Sequence, residues 1–344
     1  MQDEGNKNGN ATINKTINKT VDKTMDKIMN KITDEITGAT MDTTMIEVIN
    51  VSKCFGTYKA LDQVNMHVKR GAVYGLVGPN GAGKSTIIRH ITGAYRQDEG
   101  EVRVNGQFVY ENAAVKTDIA YIPDDIFYFN QANLKEMMRF YRDMYPGFDQ
   151  GLFERLQECF PVIDPKRAIR RLSKGMQKQA AFWLAICCRP KLLVLDEPVD
   201  GLDPVMRRQI WSLLLADVAE HGTTVLVSSH NLRELEDVCD HVGIMHHGKV
   251  IMEKSLDDLQ GSVSKIQVAF EGDNMPELSE KLEVLHQSQA GRVHTLILRG
   301  EQEKLRAQIE SLNPILLDVL PLTLEEIFIY ELGGADYEVK DILI

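Results

Sequence analysis

Nothing in the 344-residue chain is apolar for long enough to cross a bilayer. The longest such run, AAFWLAICC at residues 180–188, falls well short of the ~20 residues a membrane helix needs. The chain is expected to be soluble, and any role at a membrane would pass through a partner. Cysteine pairs are missing too. Cys54, Cys159, Cys187, Cys188 and Cys239 include no C-x-x-C, and no secretory signal precedes them. They are expected to be free thiols in a reducing compartment. There is no excess of basic charge: 39 Lys and Arg against 50 Asp and Glu give −11, which argues against non-specific nucleic-acid binding while leaving room for a local basic site. What is present is 43% hydrophobic and 26% charged, enough for a sizeable core. The length suits two domains, or one with extensions.

Composition divides the chain. Residues 1–44 repeat INKT, INKT, VDKT, MDKI, with six Lys against seven Asp and Glu. A four-residue beat drifts around a 3.6-residue helix, so its apolar stripe spirals. This segment is expected to be a low-complexity, disordered or weakly helical tail; the other reading is an amphipathic helix lying on a membrane or a partner. From residue 45 to about 262 the pattern is that of an α/β domain. VYGLV (73–77), IAYIP (119–123), LLVLD (192–196) and TTVLVSS (223–229) read as parallel strands covered on both faces. Before the last of them, Asp203, Pro204 and Gly222 bound a helix striped by Met206, Ile210, Leu213, Leu214 and Val218. A helical insert, about 124–185, includes LKEMMRFYRDMY and GLFERLQECF. Residues 263–344 read as a small α+β accessory domain: strands KIQVAF and VHTLILR, a helix at 301–312, and a second helix opened by the capping box Thr323–Glu326 and ended by Gly333-Gly334.

Between a predicted strand and a predicted helix stands Gly78-Pro79-Asn80-Gly81-Ala82-Gly83-Lys84-Ser85-Thr86. The spacing G-x4-G-K-S in that context predicts a phosphate-binding loop. Glycines let backbone N–H groups turn inward around phosphate oxygens, and the helix N-terminus adds positive charge. Lys84 would span the β- and γ-phosphates, and the Ser85 hydroxyl would ligate Mg²⁺. LLVLD-Glu197 is an apolar strand ending in two acids, which places them at the ligand edge of an open sheet. Asp196 would hold Mg²⁺ through water, and Glu197 would polarise the attacking water. His230 ends another strand of the same sheet. It is either structural or in reach of the γ-phosphate. Ser173, in LSKGM, either caps the helix that follows or adds a second phosphate contact from that helix start.

Taken in order, these motifs resemble the nucleotide-binding subunit of ATP-binding cassette (ABC) transporters over about residues 46–252. LSKGM resembles the signature LSGGQ, DEPVDGLDP the Walker B end and D-loop, and SSH the switch-histidine strand. Phe55, in KCFG, matches the aromatic that stacks on adenine. The signature carries Lys174 for Gly and Met176 for Gln but keeps Ser173 and Gly175. Asp124, in YIPDD, stands where the family has the Q-loop glutamine; it can take part in Mg²⁺ or water coordination but cannot donate as an amide does. Val199 replaces a common Thr.

The resemblance implies a P-loop ABC-type α/β ATPase domain with a helical subdomain, using ATP and Mg²⁺. It implies two such domains head to tail. Each site would combine Lys84, Ser85, Asp196, Glu197 and His230 of one chain with Ser173 and Gly175 of the other, Asp203 linking the sites. It implies a second ATPase subunit, identical or sister, and a separate multi-span membrane permease docking on residues 124–171, with the chain at the cytoplasmic face of the membrane. The C-terminal extension and the Q-loop variant resemble export subunits of the drug, peptide or antibiotic type. No nucleic-acid partner is expected. Three alternatives stand against this reading. A soluble ABC ATPase acting on ribosomes or DNA is opposed by the single cassette and the acidic balance. A P-loop kinase or GTPase is opposed by LSKGM with SSH and by the lack of an N-K-x-D motif. A nucleotide-sensing regulator would bind ATP without turnover.

Overall fold

The computed structural model describes residues 44–271 and 282–332; the expected tail over 1–44 and the helix end at Gly333-Gly334 fall outside these except for Thr44. The described chain opens with a long hairpin, β1 (Thr44–Phe55) and β2 (Tyr58–Lys69). After β3 (Val73–Val77), β4 (Glu99–Val104) and β5 (Gln107–Phe108) extend the hairpin into an antiparallel sheet of order β2-β1-β4-β5. This sheet is not among the sequence expectations. Its alternation is interrupted by register shifts within β1 and by positive φ at Asn50 and Gln63, and a clean two-residue period survives only over the second half of β2, Val64 to Lys69.

The second sheet contains the four expected strands. β6 (Ile119–Ile122), β7 (Leu192–Asp196), β8 (Thr224–Ser229) and β9 (His241–His246) join β3 in parallel, and β10 (Lys249–Ser255) closes the edge antiparallel, in the order β10-β9-β3-β8-β7-β6. Alternate residues serve two cores. Leu76, Leu192, Val194 and Leu226 pack towards the antiparallel sheet and the helix Lys84–Ile91. Val73, Val77, Leu193, Leu195, Val225 and Val227 pack towards the helices Lys174–Cys187 and Pro204–His221. That double burial is why these strands are apolar throughout. In register, Asp196 lies beside Ser228 and Val77 beside Ser229, so the C-terminal ends of β3, β7 and β8 share one edge.

The helical insert is held by caps and aromatics. Asn133 and Glu136 form a capping box on Leu134–Met144. The helix expected over GLFERLQECF is shorter, Gln150–Arg155, because the chain then turns to place Phe160 against Trp183. Phe153 and Phe160 stack on the Trp183 ring at 5.0 and 5.6 Å, and its indole N–H donates to the Phe153 carbonyl at 2.9 Å. The helix Lys174–Cys187 is buried continuously from Lys178 to its end, which explains the run AAFWLAICC: it is a core helix.

Beyond it, β11 (Val263–Ala269), β12 (Val284–Ala290), β13 (Val293–Arg299) and β14 (Leu316–Leu320) form an antiparallel sheet ordered β12-β13-β11-β14, backed by Leu305 and Ile309 of the helix Gln302–Glu310. The helix Leu324–Leu332 starts with the expected box: Glu326 N–H donates to Thr323 Oγ1 at 3.2 Å, and Thr323 N–H to Glu326 Oε2 at 3.1 Å. Leu324 and Ile327 are fully buried in the ATPase core, not in the accessory sheet's core. Arg233 pairs with Glu325 at 2.7 Å, and Leu324 N–H donates to Glu236 at 3.1 Å.

All five cysteines are free. Burial pushes the Cys187 thiol up to about 12 and raises Cys188 and Cys239 further, whereas Cys54 is exposed. A raised pKa leaves little thiolate at neutral pH. An excess of a disulfide reagent should therefore modify Cys54 first and half-buried Cys159 more slowly. Cys187, Cys188 and Cys239 should react only after denaturant is added, as counted by released chromophore.

Candidate active site

The glycine-rich turn begins where β3 ends. At Gly78 a Cβ would lie 2.2 Å from the Met245 carbonyl oxygen of β9, so no side chain fits. Gly81 and Gly83 take φ of 83° and 111°, the left-handed half of backbone space. The helix Lys84–Ile91 starts directly after Gly83 without a side-chain cap, which leaves its first N–H groups for an anion. Ser85 and Thr86 stand half-buried on its first turn. Lys84, 6% exposed, folds back: Nζ donates to the Gly78 carbonyl at 2.6 Å and lies 3.3 Å from Glu197 Oε1.

The acids meet the loop from β7. Ser228 Oγ donates to Asp196 Oδ1 at 2.6 Å across the β7–β8 register. Burial, with Asp196 nearby, pushes the Tyr121 hydroxyl up to about 12, so it stays a neutral phenol. Glu197 adopts φ 47°, uncommon for any residue but glycine, and its N–H donates to the Ser228 carbonyl and hydroxyl, each at 3.2 Å. That turn presents Oε1 to Lys84 and Oε2 to His230, whose Nδ1–H donates at 2.9 Å. A carboxylate only accepts, so Nδ1 carries a proton in this contact.

The other expected residues surround this cluster. Phe55 ends β1 opposite Tyr58, is 46% exposed, and is braced edge-on by Tyr95 at 5.7 Å. Tyr58 Oη donates to the Gly81 carbonyl at 3.4 Å, so the hairpin tip rests on the phosphate loop. Asp124, just beyond β6, lies 3.4 Å from the Lys178 ammonium. Ser173 is exposed and caps the helix Lys174–Cys187, accepting from Met176 N–H at 3.2 Å. A Cβ on Gly175 would touch Leu202 at 3.4 Å, so the signature abuts the turn that precedes Asp203. Asp203 caps the helix Pro204–His221, accepting from Val205 and Met206 N–H at 3.0 and 3.1 Å. Sequence reasoning assigned no role to Tyr58, Lys178 or Ser228. Ser228 stood in the quoted SSH strand, but its bond to Asp196 depends on strand register; Lys178 depends on tertiary packing. Among the described residues, no group of His, Cys, Asp and Glu is placed to hold a metal ion by itself.

A parallel sheet that gathers a phosphate loop, two acids and a histidine at one edge defines a P-loop nucleoside triphosphatase. Comparison with known proteins narrows this. Residues 61–200 match the family model described as ABC transporter. The chain is 32% identical over 291 residues to the ABC transporter ATP-binding protein YtrB of Bacillus subtilis (strain 168), covering 84% of this chain and 99% of that one. It is 28% identical to the bacitracin transport ATP-binding protein BcrA of Bacillus licheniformis, covering 85% and 99%. The dimeric structure of MJ0796, a bacterial ABC transporter cassette, superposes with a TM-score of 0.55 at 25% identity, covering 62% of this chain and 99% of that one. The chain belongs to the ABC transporter ATP-binding proteins: it is an ABC-type ATPase subunit that binds ATP.

Proposed function

We propose that the chain is one half of an ATP-driven clamp that energises a separate multi-span permease at the cytoplasmic face of the membrane, in the outward direction. The observation that carries the clamp is the division of the motifs. Glu197 lies within 3.3 Å of both Lys84 and His230, while Ser173 stands exposed at the start of another helix. Two chains placed head to tail, as copies or sisters, would bring Ser173 and Gly175 of each to the phosphate loop of the other, with Asp203 between the sites.

Within one site, Phe55 stacks on the base. The Gly78–Thr86 loop and Lys84 hold the phosphates. Glu197 polarises the attacking water, and His230 keeps that carboxylate aimed and bonds the γ-phosphate. The Ser85 hydroxyl and the Asp196 carboxylate are hard oxygen donors suited to Mg²⁺, with Asp124 as a further carboxylate at the end of β6. When bound, Mg²⁺ neutralises charge on the phosphates. Contacts to the γ-phosphate exist only before hydrolysis, so closure and reopening follow the nucleotide.

The helical insert offers the permease a face. Phe127, Phe129, Phe140 and Met144 are 73%, 47%, 42% and 56% exposed, and a 370 Å³ cavity opens beside Phe140 and Tyr145. Among the described residues no helix is long and apolar enough to cross a membrane, so a spanning partner fits. The relative named for bacitracin transport supports a substrate of the drug or antibiotic kind.

Mixing two dead variants tests the clamp. Lys84→Ala disables the loop and Gly175→Asp the signature, yet a mixed dimer retains one site with both halves intact. Equal mixing should restore about a quarter of wild-type ATP turnover. No recovery in a mixture shown to form mixed dimers counts against composite sites.

A further inference from the structure

Lys178 is a buried lysine, 9% exposed, at the second turn of the helix that Ser173 caps. A buried ammonium needs partners, and this one has two. It donates to the Glu197 carbonyl at 2.8 Å and lies 3.4 Å from the Asp124 carboxylate. The first bond falls on a strained residue. Glu197 holds φ 47°, and a non-glycine residue stays there only when its surroundings over-determine it. Ser228 fixes the N–H side of Glu197, and Lys178 fixes the carbonyl side. The Glu197 side chain leaves from between these two anchors towards Lys84 and His230.

We propose that Lys178 is a positioning residue for ATP hydrolysis. It ties the placement of the signature helix to the turn that aims Glu197, with Asp124 as its counter-ion on the loop leading into the helical insert. The proposal rests on reading Glu197 as the group that polarises water. A shift of the helix by about 1 Å stretches the 2.8 Å bond beyond hydrogen-bonding range and frees the turn to relax. Glu197 is then well aimed only when the helical insert is docked. The same pair accounts for the carboxylate at position 124. An amide there would leave the Lys178 ammonium with no negative partner, whereas Asp124 supplies one.

The test uses the full chain and reads steady-state ATP hydrolysis, ATP affinity and the thermal midpoint. Lys178→Met should lower kcat by about 10- to 100-fold, the scale of a small misalignment of a reacting group, with KM moving less than about twofold. Lys178→Arg, which keeps a cation, should recover kcat to within about threefold of wild type. Asp124→Asn should lower kcat by a smaller factor, and Lys178→Met/Asp124→Asn should be no slower than Lys178→Met alone. Three outcomes overturn the proposal: wild-type kcat in Lys178→Met, no recovery in Lys178→Arg, or losses that multiply in the double variant. If Lys178→Met does not fold, Asp124→Asn decides, because its side chain is 58% exposed; unchanged kcat there also overturns the proposal. Glu197→Gln in the same assay separates the two readings. Normal turnover there defeats the assignment of Glu197, while a stalled Glu197→Gln beside a normal Lys178→Met defeats only the role of Lys178.

Discussion

Glu197→Gln should stop turnover almost completely while leaving ATP binding intact. General-base assistance contributes about 10²- to 10⁴-fold, and the amide cannot supply it. The substitution is nearly isosteric, so the left-handed turn at φ 47° and the bonds of its N–H to Ser228 should survive. Lys84, proposed to hold the phosphates, loses its ionic partner at 3.3 Å but keeps its bond to the Gly78 carbonyl at 2.6 Å, so the loop should still receive ATP. The γ-phosphate should then persist, and the dimer it holds closed should accumulate. Size exclusion in ATP should show a dimer for the variant and a fast monomer–dimer exchange for wild type. Wild-type hydrolysis rates in Glu197→Gln would remove this residue from the reaction and return the acidic pair to a purely structural strand end.

Leu324→Asp should unfold the ATPase domain, not merely loosen the C-terminal sheet. Leu324 is fully buried in the main core with Leu256, Leu259 and Ile327. Two effects oppose each other at this position. An acid in the first turn of a helix gains about 0.3–1 kcal/mol from the dipole. Burying an unpaired carboxylate costs several times more, and Glu236, which accepts the Leu324 N–H, adds like charge beside it. The cost is a large share of the roughly 5–15 kcal/mol that holds a domain together. Leu324→Ala gives the calibration, with an expected loss of about 2–5 kcal/mol for a large-to-small core change. Urea unfolding followed by Trp183 and Trp211 fluorescence measures both. A wild-type midpoint for Leu324→Asp would show that this helix detaches freely from the core.

These two residues also show where the sequence was legible. Glu197 was readable because an apolar strand ending in acids has one natural place, the ligand edge of the sheet, and because the phosphate loop stands on a strand of the same kind. The capping signals at Ser173, Asp203 and Thr323 were readable because a cap is a contact between near neighbours. Leu324 was not readable as ATPase core. The capping box predicts a helix but says nothing about which surface receives it, and residues 263–344 look like a separate unit by composition. The antiparallel sheet was passed over for the same kind of reason. Bulges in β1 break the period, and the partner strand β4 lies on the far side of the phosphate loop and its helix. Ser228 and Lys178 needed register and packing, neither of which spacing along the chain supplies.

The place of β3 in its sheet has a consequence for how the protein is made. Both its neighbours, β8 and β9, arrive far later in the sequence. The Val73 N–H donates to Asp240, 167 residues on, and the Gly71 N–H to Thr224, 153 residues on. A ribosome adding ~5–20 residues per second leaves the finished β3 without lateral partners for on the order of ten seconds or more. During that interval a fully apolar strand and a glycine-rich loop are exposed on the nascent chain, and closing the sheet must await distant contacts, which are slow to form. The loop proposed to cradle the nucleotide is thus synthesised well before the strands that secure it. Slowed synthesis, or a chain released before β9, would leave a species that aggregates and cannot yet bind ATP.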